Sequence, residues 1–280
     1  MKSRILKPEH IEEFASHLKN DEKSQSTIEK YVRDAKALLL YAGGREITKE
    51  RVVEYKKVLT ENYAMRSVNS IIASINCLFS FLDWQDLKLK SIKLQTQTYC
   101  REDKELTKAE YLRLVSTAKA IRNYRLSLLI QTICATGIRV SEVEFITVEA
   151  VKRGEAIVTL KGKTRSIFII KKLQKNLLRY ARSNGITEGP IFINRRGKPM
   201  SRTSIWREMK SLCGKARVMP QKVFPHNLRH LFARVFYSLE KDIAKLADIL
   251  GHCSINTTRI YIITTGSEHR RQMENMRLIL

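Results

Sequence analysis

Apolar residues recur at helical spacing through most of the first 85 positions. Ile28, Tyr31, Val32, Ala35, Leu38 and Leu39 follow the i, i+3, i+4, i+7 rule, so they line one face of a helix that Ser26 or Thr27 can cap and Gly43-Gly44 stops. Val68, Ile71, Ile72, Ile75, Leu78, Phe79 and Leu82 form a second stripe. Weaker patterns over 8–19 and 48–60 complete four helices and predict a small all-α bundle. Between about 86 and 105 the stripe is lost, and alternating polar residues predict an extended interdomain linker. Thr107 followed by Glu110 is a capping box that opens a new helix and a second domain.

In that second domain Leu126, Leu129, Ile130 and Ile133 share a face that ends at Gly137, and Ser141 can cap the short helix after it. The period then changes. Ala150–Arg153, Ala156–Leu160 and Arg165–Ile170 are short β-type runs separated by Gly154 and by Lys161-Gly162-Lys163-Thr164, which predicts a small antiparallel sheet. Helical patterns return near 171–183, 203–217, 226–239, 242–250 and 255–262, and Met273, Met276, Arg277 and Leu280 share a face in the closing segment. The expected fold is mainly α with a small antiparallel β-sheet, an α+β chain. Its expected parts are a helical domain over 1–88, a linker over 89–105, a second domain over 106–266 and a C-terminal helix over 267–280.

At 280 residues and 43% hydrophobic composition, the chain can bury two ordinary cores. Its longest apolar runs, such as Ser127–Ala135, fall far short of the roughly 20 residues a membrane crossing needs. The start turns charged again too soon for a signal peptide, so a cytoplasmic chain with no membrane partner is expected. Cys77, Cys100, Cys134, Cys213 and Cys253 are odd in number and scattered, with no zinc-ligand spacing, which suits reduced thiols. Charge adds the first functional pointer: 52 basic against 28 acidic residues give +24. Residues 1–95 hold 17 basic and 13 acidic side chains, a net of +4, and 96–280 hold 35 and 15, a net of +20. A polyanionic partner follows, although charge alone would equally suit a ribosomal protein or a membrane-surface binder.

The segment Phe224-Pro225-His226-Asn227-Leu228-Arg229-His230 puts Pro225 in a helix's first turn and His226 and Arg229 one turn apart on one face. A guanidinium fork beside an imidazole can grip phosphate oxygens and move a proton; a solvated basic face is the alternative. His226 and His230 stand at the i, i+4 spacing of a helical zinc site, but Asn227 occupies the general-base position of such sites, so no metal is assigned and His230 is read as packing behind the site. Leu250-Gly251-His252 follows, with Tyr261 nine residues beyond the histidine. Earlier, Ala135-Thr136-Gly137-Ile138-Arg139-Val140-Ser141-Glu142 sets Arg139 at a junction between helices. Glu142 is there either to orient that arginine or to make a surface salt bridge with it.

In this order and at these separations, the motifs resemble those of the tyrosine recombinase and phage integrase family from about residue 8 to the C-terminus. The expected form is the simple Xer-like two-domain one without an arm-binding domain. By that resemblance the active site comprises Arg139, Lys161, His226, Arg229, His252 and the nucleophile Tyr261, with Lys163 as the other candidate for the hairpin lysine. The resemblance implies a helical SAM-like core-binding domain and a mixed α/β catalytic domain closing as a C-shaped clamp on DNA. It further implies a 3′-phosphotyrosine intermediate and no cofactor, metal or ATP. The implied partner is double-stranded DNA with short inverted core sites, bound by four protomers on two sites from a chain that is monomeric when free.

Tyrosine has an ordinary pKa near 10, so a base must activate it. His226 would take the proton, Arg139, Arg229 and a His252 donor would stabilise the phosphate oxygens, and the lysine would protonate the departing 5′ oxygen. Arg66, Ser67, Asn69 and Asn76 on the fourth helix, with Lys163 and Arg165 on the hairpin, are candidate DNA contacts; a solvated face is the alternative for the first four. The stripe of Met273, Met276 and Leu280 suits docking on a neighbouring protomer or packing back on its own domain. Integration, excision or inversion is favoured over chromosome-dimer resolution, because the chain is short and basic. A type IB topoisomerase and a catalytically silent DNA-binding protein are the competing classes.

Overall fold

The apolar stripes of the first part become four helices in a computed structural model of the chain, which describes residues 4–94, 102–160, 163–252, 254–262, 270 and 273–276. They are α1 (Pro8–Asn20), α2 (Gln25–Ala42), α3 (Lys49–Asn62) and α4 (Met65–Phe81), and their inward faces share one core built on Phe14, Leu38, Val68, Ile72, Ile75 and Phe79. Ser24, not Ser26 or Thr27, stands at the start of α2, with its hydroxyl 2.8 Å from that of Thr27. Gly43 ends the helix in the left-handed region. This bundle lies within the first of two compact units, Met1–Thr96 and Gln97–Leu280.

The stretch expected to begin the linker is held against the first unit. After a 3-10 turn at Gln85–Leu87, Leu87 and Leu89 are buried in the bundle core. The Asn76 amide donates to the Leu89 carbonyl (2.9 Å) and accepts from the Leu89 N–H (2.8 Å), and Asn69 does the same with Ile92 at 2.8 Å each way. Seven helical residues rise about 10.5 Å and three extended residues span about 10 Å, so two amides two turns apart match two backbone groups three residues apart. Lys56 adds a bond to the Lys90 carbonyl at 2.6 Å. Each amide spends a donor and an acceptor on the strap, which tells against Asn69 and Asn76 as groove contacts. Arg66 and Ser67 remain exposed. Replacing Asn76 with Ala should lower the urea midpoint of the first unit, at a cost of about 1–3 kcal/mol for the two lost bonds, and should leave DNA affinity nearly unchanged.

The second unit opens with the capping box: Thr107 Oγ1 accepts from the Glu110 N–H, and Glu110 accepts from the Thr107 N–H. There follow α5 (Lys108–Ala120), α6 (Tyr124–Thr136), α7 (Val148–Arg153), the strands β1 (Glu155–Leu160) and β2 (Lys163–Phe168), and α8 (Lys171–Ser183). The chain continues through α9 (Arg202–Ser211), α10 (Cys213–Ala216), α11 (Pro225–Glu240), α12 (Ile243–Leu250) and α13 (Ile255–Ile262). The two strands pair antiparallel with Val158 opposite Arg165, so among the described residues the fold is mainly helical with one small sheet. Three local expectations change. Ala150–Arg153 is helical, because Thr147 Oγ1 accepts from the Ala150 N–H and Gly154 stops the turn at φ 85°; four residues are too few to display a period. Arg139, not Ser141, precedes the next turn, a 3-10 helix over Val140–Phe145. The pattern over 203–217 breaks at Leu212 into α9 and α10. Among the described residues no helix is long and apolar enough to cross a membrane, and Cys77, Cys134 and Cys213 are free thiols.

Candidate active site

A helix ends with carbonyls that lack intrahelical donors and carry the negative end of its dipole. At the end of α12 three successive carbonyls each meet a different arginine. Arg165 Nη1 donates to Ile249 at 2.7 Å, Arg229 Nη2 to Leu250 at 2.7 Å, and Arg139 Nη2 to Gly251 at 3.2 Å. These residues come from β2, α11 and the α6 exit, so this helix end gathers cations from three places in the chain. Gly251 makes the turn at φ +63°, and a Cβ there would stand 2.3 Å from Arg165 Cδ. Gly251→Ala therefore imposes both a left-handed backbone and a clash with a pinned side chain. The expected cost is about 1–3 kcal/mol in a urea melt, together with reduced DNA cleavage.

Glu142 is the carboxylate that organises this cluster. It is 2% exposed, with Oε1 accepting from Arg139 Nη1 (2.9 Å) and Oε2 accepting from the Arg139 N–H (2.9 Å) and Arg165 Nη2 (2.5 Å). Burial pushes its pKa up, but the Arg139 N–H and Arg165 outweigh that and hold it below the usual carboxylate value. Its burial and double pairing rule out the surface-salt-bridge alternative. Arg165 is corrected too: its side chain is 12% exposed and its fork is committed to Glu142 and Ile249, so it is no free DNA contact.

Tyr261, on α13, is 7% exposed and enclosed by the three histidines of the motifs. Its hydroxyl lies 3.2 Å from His226 Nε2. The His230 ring stacks on the tyrosine at 4.2 Å between centroids, His252 lies 5.0 Å away, and the Arg229 guanidinium sits 5.8 Å from the ring centre. Arg229 is itself buried, bonded to the Gly137 and Leu250 carbonyls and to His252 Nε2, while its Nε is buried without a partner among the described residues. Burial and Arg139 push its pKa down to about 10, so it keeps its charge at neutral pH.

The role expected for His252 changes. Arginine only donates, so His252 Nε2 accepts from Arg229, and His252 Nδ1 must carry the proton that bonds Thr258 Oγ1 at 2.9 Å. Its N–H is thus turned to Thr258, and in this arrangement the ring positions Arg229 rather than offering a donor to a phosphate. Burial and the neighbouring arginines push His252 down to about 4, and burial with His226 and Arg229 does the same to His230. His226 is lowered as well, by burial first and then by Arg229 and Arg139. All three are therefore neutral at pH 7, and His226 is in its base form.

Two pH effects follow. The acid limb of the cleavage rate should fall below the ordinary histidine value of 6.5 in single-turnover assays. Because the unfolded chain binds protons that folded His230 and His252 refuse, stability is fully present above pH 6.5 and is lost as pH falls from there toward 4, as urea midpoints across that range would record.

Beside Tyr261 a cavity of about 300 Å³ is lined by Ile138, Arg139, Val140, Ser141, Arg202, Pro225, His226 and Arg229. It shares four of those residues with a groove of about 560 Å³ that runs to Trp206 and Phe224. Arg202, at the start of α9, and the buried Thr258 were not singled out from sequence. Arg202 belongs to no motif, and Thr258 reads as one more small polar residue of its helix. A larger cavity, about 620 Å³, opens along α5, α6 and α8 and holds none of these groups. Lys161 lies outside the described residues, as do Cys253 and most of the C-terminal segment, and Lys163 opens β2.

Residues 104–267 match the phage integrase family, and residues 11–86 match the phage integrase N-terminal SAM-like domain. The chain belongs to the phage integrase family. This family member is 30% identical over 291 aligned positions to the tyrosine recombinase XerA of Pyrococcus horikoshii, covering 100% of this chain and 98% of that one. In fold it is similar to a XerH site-specific recombinase bound to a palindromic difH substrate in a post-cleavage complex, with TM-score 0.73, 18% identity and 98% and 90% of the two chains covered. It is similar also to a lambda integrase tetramer bound to a Holliday junction, with TM-score 0.75, 17% identity and 93% and 78% covered.

Proposed function

We propose that this integrase-family chain is a site-specific tyrosine recombinase that cleaves and rejoins DNA through Tyr261. One observation carries the assignment: the Tyr261 hydroxyl, 3.2 Å from a neutral His226 Nε2, sits next to a cavity into which Arg139, Arg202 and Arg229 converge. His226 takes the phenolic proton as the tyrosine oxygen attacks phosphorus. Arg139 and Arg229 neutralise the non-bridging oxygens, and the unpartnered Arg229 Nε gains an acceptor there. The 5′ oxygen leaves with a proton from the hairpin lysine, Lys161 or its alternative Lys163. Reversal of these transfers, with a 5′ hydroxyl attacking the phosphotyrosine ester, reseals the strand. Every charge that develops is met by a side chain, so the sequence requires neither metal ion nor nucleotide.

The helical unit, with Arg66 and Ser67 exposed, is the groove-reading part, and the +20 region contacts the phosphates. The assembly is four protomers on two short inverted core sites in the cytoplasm, with the C-terminal segment docked on a neighbour; its Met273 and Met276 are exposed at 70% and 60%. Integration, excision, inversion and chromosome-dimer resolution all follow from this one chemistry.

The test is a plasmid carrying two copies of a selected binding site, incubated with the protein in EDTA without ATP. Products with exchanged flanks are expected. Relaxed circles alone would indicate a topoisomerase, and specific binding without either product would indicate a silent DNA-binding protein.

A further inference from the structure

We infer that Arg165 is a positioning residue for strand cleavage, holding Glu142 so that Arg139 keeps its direction and its charge toward the scissile phosphate. This rests on the proposed role of Arg139 as a phosphate clamp. Of the three arginines on the end of α12, Arg139 and Arg229 line the cavity beside Tyr261 and Arg165 does not. Its fork instead spans two acceptors, Glu142 Oε2 at 2.5 Å and the Ile249 carbonyl at 2.7 Å.

The sharing decides the electrostatics. One buried carboxylate lies between two guanidiniums, so its charge is divided and Arg139 retains a net field at the cavity. Without Arg165 the whole carboxylate charge falls on Arg139 at 2.9 Å, and the clamp approaches neutrality. The Ile249 carbonyl loses its donor at the same time. That carbonyl lies one residue before the Leu250 carbonyl that holds Arg229, so both clamps lose support from one substitution. Lysine would keep the charge but has no planar fork to reach both acceptors.

Single-turnover cleavage by wild type, Arg165→Met, Arg165→Lys and Arg139→Ala tests this on two substrates, one with an ordinary scissile phosphate and one with a methylphosphonate there. The methylphosphonate lacks a non-bridging charge and so needs less from a guanidinium clamp. On the ordinary substrate Arg165→Met is expected to fall on the order of 100-fold, with Arg165→Lys between it and wild type and DNA affinity within about threefold. On the methylphosphonate the gap to wild type should narrow to about tenfold or less for Arg165→Met, and Arg139→Ala should narrow in parallel. Equal Arg165→Met defects on both substrates, alongside a relieved Arg139→Ala, would overturn the inference and leave Arg165 a stability residue. A loss accounted for by weaker DNA binding would overturn it in favour of a DNA contact. An Arg139→Ala defect that is the same on both substrates would overturn the clamp role itself, and this inference with it.

Discussion

Tyr261→Phe should abolish strand cleavage, by on the order of 10⁴-fold or more, while DNA affinity and thermal stability stay close to wild type. The substitution removes one oxygen. The hydrogen bond to His226 at 3.2 Å contributes about 1 kcal/mol to folding, and the ring contacts with His230, His252 and Arg229 survive. The chemical loss is far larger, since the three histidines beside the ring are neutral bases and none replaces the hydroxyl as the attacking oxygen. Single-turnover cleavage, a gel shift and a thermal melt on the same preparation separate the three quantities.

Glu142→Ala has the largest expected effect on stability, about 3–5 kcal/mol, because it leaves two guanidiniums and a backbone N–H without their shared acceptor. Lower urea midpoints at an unchanged m-value would show this. The same carboxylate sets an acid limit. Its pKa is lowered in the folded chain, so its contribution is complete above the ordinary 4.5 and is lost as pH falls below that, under the losses already begun at His230 and His252. In Glu142→Ala the steepest part of acid unfolding below pH 4.5 should flatten, and an equally steep limb would contradict the pairing.

Most of the helices were legible because each buries a stripe long enough to show its period, as α2, α4 and α8 do. The four residues of Ala150–Arg153 are shorter than a full pattern, and only the Thr147 cap and Gly154 stop, read together, identify their helix. The motif residues around Tyr261 were singled out as a set only through their resemblance to the tyrosine recombinase motifs, because one at a time each reads equally well as a basic surface residue or a packed ring. What those residues do to one another was not legible. Asn69 and Asn76 carry the same polar signature whether they face a groove or clamp a strap, and Arg165 looks like any basic hairpin residue until its fork is seen on Glu142 and Ile249. The tautomer of His252 likewise depends on contacts with Arg229 and Thr258 that no spacing encodes.

The nucleophile is tested most directly by trapping the covalent complex on a core site nicked so that the 5′-hydroxyl fragment diffuses away, in EDTA, and mapping the linkage after trypsin and nuclease digestion. The tryptic peptide spanning 260–270 should gain the mass of a nucleotide 3′-phosphate, fragmentation should place it on Tyr261, and Tyr261→Phe should yield no adduct. An adduct on any other residue, or one that persists in Tyr261→Phe, would contradict Tyr261 as the nucleophile.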